Sequence, residues 1–281
     1  MPRTLRIASV NVNGIRAAVR KGMHAWLDAA DVDILTLQEV RAEASDLAAA
    51  LPGWHIVNDE ALAKGRAGVA IAARAPLDVW RVDLGGDASV LDSRGRWVEA
   101  DIDVDGAQLT VVSAYVFTGE ADTDKQVSKY AFLDAMEQRM PRLGDLALIT
   151  GDLNVGHREL DIRNWRGNVK KAGFLPRERA YFDRFTGVRG AEVTCVDGTT
   201  GTGLGWVDVG RRWAGEVDGP YSWWSNRGKA FDNDTGWRID YHLATPDLAA
   251  RVSGYQVVRA PSWDTRWSDH APVVADYAFG D

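Results

Sequence analysis

The eight residues Ala147-Leu148-Ile149-Thr150-Gly151-Asp152-Leu153-Asn154 constrain this chain more than any others: an apolar run stops abruptly at a carboxylate and a carboxamide. Such a run, bounded by Gly and Asp, reads as a buried strand ending in a turn. Polar groups at the mouth of a buried strand lie where α/β sheets place their chemistry. Taken alone, the segment is better explained as an ordinary Asp/Asn turn.

The same ending recurs along the chain. Residues 5–11 read as a first strand closing on Asn11 and Asn13, and residues 32–37 as a buried strand followed by Gln38-Glu39. Residues 108–116 carry Tyr115 near their end, Asp240 interrupts an apolar pattern over 237–244, and Ser268-Asp269-His270-Ala271-Pro272 precedes a last strand at 273–279. Val98, Ala100, Ile102 and Val104 alternate with Glu99, Asp101 and Asp103, the period of a half-buried strand. Asp105-Gly106 joins that strand to the next as a hairpin. Residues 67–73 and 255–259 read as further strands, and helices are expected through Trp26 and Leu27 and over 176–185. The clearest amphipathic helix spans 124–140, with Val127, Tyr130, Leu133, Ala135, Met136 and Met140 on one side. The stretch 195–219 reads only as a Gly-rich loop with a short helix. Hairpins mixed with helix-linked strands imply mixed sheets.

The 281 residues, 46% of them apolar, can bury a substantial core, and without a linker or low-complexity tract they read as one domain over 1–281. No apolar run approaches a membrane span, and MPRTLRIASV lacks the apolar stretch of a signal peptide, so a soluble, cytosolic chain is expected. The lone Cys195 excludes an internal disulfide and a thiolate-rich zinc site. A net charge of −7 argues against a bulk electrostatic nucleic-acid binder, although carboxylates gathered around a metal give the same sign. Basic residues are instead local: Arg163, Arg166, Lys170, Lys171, Arg177 and Arg179 crowd one segment with Asp161 and Glu178. A solvated polar face is the plain alternative there. Of the 12 tryptophans, those from Trp206 to Trp267 form a second concentration.

Each strand-end residue has a dull explanation as a cap, a surface group or a partner of a nearby Arg. Several buried carboxylates together do not, since each is costly unless paired or metal-bound. Glu39, Asp152, Asp269, Asn11 and Asn154 are hard oxygen ligands without a Cys or His cluster, which suits Mg²⁺ or Mn²⁺ rather than Zn²⁺. Mg²⁺ completed by water and substrate phosphate is typical of phosphoryl transfer, and a His beside Asp269 with Asn and Tyr donors suits a charged transition state. Metal-assisted hydrolysis of a phosphodiester or phosphomonoester is the chemistry these residue types allow.

At these residues the sequence resembles the exonuclease III family of AP endonucleases, within the endonuclease/exonuclease/phosphatase superfamily. The resemblance runs through Ser9-Val10-Asn11-Val12-Asn13-Gly14-Ile15-Arg16, Leu37-Gln38-Glu39 and Gly151-Asp152-Leu153-Asn154. More selective are Asp161-Ile162-Arg163-Asn164-Trp165 through Gly173-Phe174-Leu175-Pro176, Trp223-Trp224-Ser225-Asn226-Arg227-Gly228 and Gly236-Trp237-Arg238-Ile239-Asp240-Tyr241. It implies a four-layer αββα sandwich, two mixed β-sheets flanked by helices. It also implies Glu39 as principal Mg²⁺ ligand with Asn11 and Asp269 nearby, and Asp152 either activating the attacking water or protonating the leaving group. Asn154 orients that water, His270 contacts the scissile phosphate with Asp240 as its partner, and Tyr115 donates to the phosphate or leaving oxygen.

Trp223, Trp237 and Ile239 then wall a pocket for a flipped-out, base-free sugar, whose extrusion is cheap because it is already unstacked. Asn226, Arg227, Lys170 and Lys171 are implied to face DNA. Core packing is the alternative for the tryptophans. Two departures from the family pattern, Phe117-Thr118 and Asp234-Thr235, fall in loops expected to face substrate. The implied activity is cleavage 5′ to abasic sites in double-stranded DNA by a monomer, with 3′→5′ exonuclease and 3′-phosphodiesterase activity. A phosphatase or phosphodiesterase acting on a lipid or inositol phosphate is the other enzyme reading, expected to lack the 237–241 and 163–179 segments. A non-catalytic DNA-binding relative would have lost one of Glu39, Asp152 or His270.

Overall fold

The computed structural model describes residues 3–82, 84–86, 89 and 91–280. Along the chain run β1 (Arg3–Asn11), α1 (Ile15–Arg20), α2 (Met23–Ala30), β2 (Ile34–Gln38), α3 (Ala44–Ala50), β3 (His55–Asp59), β4 (Val69–Ala73) and β5 (Val79–Arg81). The hairpin β6 (Trp97–Val104) and β7 (Ala107–Tyr115) follows, then α4 (Asp124–Arg139), β8 (Ala147–Asp152) and α5 (Pro176–Thr186). The remainder holds β9 (Glu192–Thr194), β10 (Thr200–Thr202), β11 (Val207–Asp208), α6 (Val209–Ala214), β12 (Asp240–Ala244), α7 (Pro246–Ala249), β13 (Val252–Val257) and β14 (Val273–Phe279).

Two six-stranded sheets form, ordered β13-β14-β1-β2-β4-β3 and β11-β12-β8-β7-β6-β5. Both are mixed: β1/β2 and β7/β8 are parallel, and the other pairs are antiparallel. The sheets pack face to face because their strands are apolar on both sides. Leu5, Ile7, Ile34 and Ile71 of one sheet meet Val98, Ile102, Val111 and Leu148 of the other. On the outer side of the first sheet Val10, Leu35 and Leu37 pack with Ile15, Leu27 and Leu47 from α1–α3. On the outer side of the second, Trp97, Val112 and Ile149 pack with Phe132 and Met136 of α4 and Phe182 of α5. These are the four layers of the implied sandwich. Among the described residues no helix is long and apolar enough to cross a membrane.

Side chains alternate along a strand, so one parity of each strand lies between the sheets. In register these residues form three rows. Ile7 stands beside Ile34, and Val111, Leu148 and Ala244 stand side by side across the other sheet. One step along lie Ser9 and Thr36 facing Ser113, Thr150 and His242, and one step further Asn11 and Gln38 facing Tyr115, Asp152 and Asp240. The middle row is a hydrogen-bonded seam: Thr36 and Thr150 hydroxyls are 2.7 Å apart, and Gln38 of the next row donates from Nε2 to Ser113 Oγ at 2.9 Å. The interior thus changes from apolar to polar to carboxylate in the direction of one sheet end.

Five sequence expectations are corrected. β6 is not half-buried, because Arg81 and Arg139 cover its second face and hold Glu99 and Asp101 as buried ion pairs. On α4, Val127 is 52% exposed while Gln126 and Lys129 are buried, because this helix rests on loops whose carbonyls need donors. The 195–219 stretch holds β10, β11 and α6, and the strand expected from residue 237 begins at Asp240. Strand β13, expected over 255–259, lies three residues earlier at its start.

His242 sits in the middle row with Nδ1 3.1 Å from Tyr277 OH, and among the described residues its buried Nε2 has no partner. Burial pushes its pKa down to about 4. The unfolded chain therefore binds the proton first, and stability falls as pH drops from about 6.5 toward 4, by about 2 kcal/mol between pH 7 and 5. Urea unfolding at the two pH values should show this drop in the wild type and most of it missing in His242→Leu; equal drops would exclude His242 as the source.

Candidate active site

Asn11 ties the two sheets together at their carboxylate end. Its Nδ2 donates to Asp152 Oδ2 at 2.9 Å and to Glu39 Oε1 at 3.0 Å, so one amide nitrogen bridges two acids. Glu39 Oε1 also accepts from Tyr115 OH at 2.7 Å, and the Arg41 guanidinium lies on Oε2. Burial, reinforced by the Glu39 and Asp152 charges, pushes the Tyr115 phenol far above its ordinary pKa, so it acts as a donor. Asn13, Glu39, Arg41 and Asn154 all have left-handed backbones, with φ of 47°, 49°, 52° and 51°. Such conformations are uncommon for residues with a Cβ, and their concentration here marks a site where geometry outweighs local preference.

Asn154 is held from every side. Its N–H donates to Asp152 Oδ1 at 3.0 Å and its Nδ2 to Val116 O at 2.9 Å. The residue is half-buried, and among the described residues its Oδ1 accepts no hydrogen bond.

His270 lies between acids. Its Nδ1 is 2.9 Å from Asp240 Oδ2, and its Nε2 is 3.8 Å from Asp152 Oδ2. Ser222 completes the arrangement: its hydroxyl donates to Asp240 Oδ2 at 2.6 Å and accepts the Ile239 and Asp240 N–H groups. Burial opposes charge on His270, but Asp240, Asp152 and Asp269 outweigh it and push the pKa up to about 10. Burial pushes Asp152 up to about 7, against His270 and the Asn11 amide. The proton therefore resides on the imidazole, and Asp152 is a carboxylate basic enough to accept one near neutrality. Asp269 accepts from Asn13 Nδ2 at 2.8 Å and Trp223 Nε1 at 3.2 Å. Burial opposes its charge as well, yet His270 and those donors hold its pKa below the ordinary value.

The ligand atoms of Asp152, Asp240 and His270 lie within 4.8 Å of one another, a spacing at which three groups can hold a cation. Asp240 is already committed to His270 and Ser222, however, and an imidazolium is not a ligand. Glu39 with Asp269 and the Asn11 amide oxygen makes the better set, all oxygen and matched to a hard divalent cation; the Asn11 amide would have to turn over, since its nitrogen faces Glu39 and its Oδ1 accepts from the Asn13 N–H. A cation on Glu39 Oε2 would replace the Arg41 guanidinium.

Trp223 and Trp237 stand at 90° with ring centroids 6.0 Å apart, and Trp223 is 6.4 Å from the His270 ring. Both indoles are half-buried, so they form a wall rather than a core, while Ile239 is buried. Trp237 packs against Gly173, where a Cβ would meet its ring at 2.8 Å. That contact brings the basic loop to the aromatic pair. Lys170, Lys171, Asn226 and Arg227 are exposed, with the Asn226 amide oxygen accepting from Arg266. The acids of that loop are not solvated: Asp161 is buried against Arg211 and Arg238, and Glu178 against Lys129. Of the departures, Phe117 lies 3.7 Å beneath the Arg96 guanidinium, and Asp234 accepts from Trp224 Nε1 at 3.0 Å.

Sequence reasoning missed Ser222, Arg41 and Lys129, and gave Asn13 no role. Nothing local marks Ser222, whose partners Ile239 and Asp240 are 17 and 18 residues away.

Ser222→Ala removes a buried donor from Asp240 and leaves two N–H groups unpaired, which should destabilise the fold by about 2 kcal/mol. A urea midpoint equal to wild type would show that these groups find other partners.

Residues 8–270 match the model of the Endonuclease/Exonuclease/phosphatase family. An exodeoxyribonuclease of Bacillus subtilis is 28% identical, the alignment covering 96% of this chain and 98% of the relative. An AP endonuclease from Archaeoglobus fulgidus superposes with a TM-score of 0.78 at 27% identity, covering 97% of this chain and 99% of that one. A 3′ phosphatase from Neisseria bound to product DNA hairpin is 28% identical with a TM-score of 0.78, covering 97% and 99%. The chain belongs to the Endonuclease/Exonuclease/phosphatase family.

Proposed function

We propose that this chain is a Mg²⁺-dependent DNA repair nuclease of the exodeoxyribonuclease III type, with Mn²⁺ as an alternative ion. It hydrolyses the phosphodiester 5′ to abasic sites in double-stranded DNA, leaves a 3′-hydroxyl, and also acts on 3′ ends as exonuclease and phosphodiesterase. It works as a cytosolic monomer with one catalytic domain. The observation that carries this reading is the Asn11 amide joining Glu39 to Asp152 while His270 lies between Asp152 and Asp240. The relatives add weight by what they are: an exodeoxyribonuclease, an AP endonuclease and a 3′ phosphatase bound to DNA.

Glu39, Asn11 and Asp269 would hold the metal, which supplies Lewis-acid neutralisation of phosphate charge. Asp152, with a pKa near 7, takes the proton of a water oriented by Asn154 Oδ1. The doubly flanked His270 meets the phosphate as a cation, stabilising charge as it develops. Tyr115, held protonated, donates to the same phosphate or to the leaving oxygen. Trp223 and Trp237 offer aromatic faces that accept a small unstacked sugar and crowd out an intact nucleotide. Arg227, Asn226, Lys170 and Lys171 contact the duplex around it. A lipid or inositol phosphate has no use for this aromatic wall and basic loop, so that reading is not favoured.

Incubation with a duplex carrying one tetrahydrofuran abasic analogue tests the reading: incision with Mg²⁺ and none with EDTA is expected, and no Mg²⁺-dependent incision overturns it. Asp152→Asn and His270→Asn should each slow incision by at least about 10²-fold without unfolding. Single-turnover rates should rise with pH to a plateau above about 7, because the base must be deprotonated. Rates that fall above pH 7 would instead assign Asp152 to the leaving-group proton. Trp237→Ala should narrow the preference for abasic over intact DNA more than it weakens metal binding; an unchanged preference would place sugar recognition elsewhere.

A further inference from the structure

The inner face of α4 carries a charged side chain that the reaction above does not use. Lys129 is fully buried, and its ammonium meets three acceptors: Asn154 O at 2.8 Å, Thr118 O at 3.1 Å and Glu178 Oε1 at 2.7 Å. An ammonium has three N–H donors and no acceptor, so its capacity is filled. Desolvating it is costly, and an apolar residue of similar volume commonly serves a helix core at least as well. What an apolar residue cannot do is bind two loop carbonyls at once.

Those carbonyls belong to the two loops that carry the site. Thr118 lies three residues after Tyr115, and Asn154 two residues after Asp152. The loops are laced to one another: Val116 N–H donates to Asp152 O at 3.0 Å, and Asn154 Nδ2 to Val116 O at 2.9 Å. Gly119 lies so close to α4 that a Cβ would meet Gln126 Oε1 at 2.5 Å and Lys129 Cδ at 2.9 Å. Glu178, the counter-charge, also accepts the Leu175 N–H at 2.9 Å and so anchors the start of α5, just beyond the loop that bears Lys170 and Lys171. Asn154, with its left-handed backbone, is thereby held at three points: its N–H on Asp152, its Nδ2 on Val116 and its carbonyl on Lys129.

We infer that Lys129 is a positioning residue, whose ammonium locks the Asn154 carbonyl and thereby the direction of the Asn154 amide; the inference rests on the nuclease reading above. A double-mutant cycle separates this role from general support. Asn154→Gly keeps the left-handed backbone and removes the amide. Lys129→Gln should slow single-turnover incision about 30-fold in the wild-type background, since small misplacements of a reacting group have such effects, and by less than about threefold in Asn154→Gly. Binding of the abasic duplex in EDTA should stay within about threefold of wild type, as expected for a group acting on orientation rather than affinity. The same fold-loss in both backgrounds overturns the inference, because a structural defect is indifferent to Asn154. If Lys129→Gln does not fold, Lys129→Arg carries the same cycle: it keeps a charge opposite Glu178 but cannot place three donors around one point. A wild-type chain without metal-dependent incision overturns the nuclease reading alone. Amide exchange still decides the positioning role in that case: faster exchange confined to residues 116–119 and 153–156 supports it, and unchanged protection there overturns it.

Discussion

The two-residue alternation of β-strands, applied to two sheets packed face to face, is the constraint on which everything else here depends. It places every second side chain of β1, β2, β7, β8 and β12 in one interior, in register. Each strand then spends its length in the same order, from Ile7, Leu148 or Ala244 through Ser9, Thr150 or His242 to Asn11, Asp152 or Asp240. A one-residue slip in any of these strands would turn a catalytic candidate outward and an apolar residue inward. The apolar row provides the burial that holds the sheets together. The hydroxyl and amide row provides a transition, so that carboxylates can stand at the end of a packed interior without being stranded in it.

At that end the problem is charge. Glu39, Asp152, Asp240 and Asp269 lie close together, and burial alone would drive such acids neutral. The structure offsets this with donors rather than with many cations: Asn13, Ser222, Tyr115 and Trp223 each give a hydrogen bond to one of the four, and Asn11 gives one to each of two. The imidazolium of His270 supplies a positive charge between Asp152 and Asp240, and Arg41 stands on Glu39. Residual negative potential of this kind favours a hard divalent cation. Lys129 and Glu178 extend the same logic one layer back, where an ion pair buried under α4 satisfies carbonyls of the loops in front.

Much of this was legible before any coordinates. The Asp152 strand, the β6–β7 hairpin through Asp105-Gly106, and the last strand over Val273–Phe279 follow from apolar runs and turn residues, and all three form. The structure brings Asn11, Glu39, Tyr115, Asp152, Asn154, Asp240, Asp269 and His270 to one end of the sandwich, where strand-end polarity had pointed. The two misreadings of burial share one cause. Glu99 and Asp101 look like the wet side of a strand, and Val127 like the dry side of a helix, until Arg81, Arg139 and the loop carbonyls of Thr118 and Asn154 are known to lie opposite. Local pattern reports which side chains are apolar. It does not report where their partners come from.

The sequence by itself determined the strand cores, the polar residue at each strand end and hence the class of chemistry, because alternation, turn propensity and ligand hardness are local properties. Only the tertiary structure decided how those ends are wired: that Asn11 bridges Glu39 and Asp152, that Ser222 supports Asp240, that Trp237 rests on Gly173 and that Lys129 holds Asn154. Each of these contacts joins residues from 18 to 141 positions apart, and each depends on an angle or a burial that no local pattern encodes. Hydrogen bonds and pKa shifts are set by distances of a few ångströms, and those distances exist only once the two sheets have closed on each other.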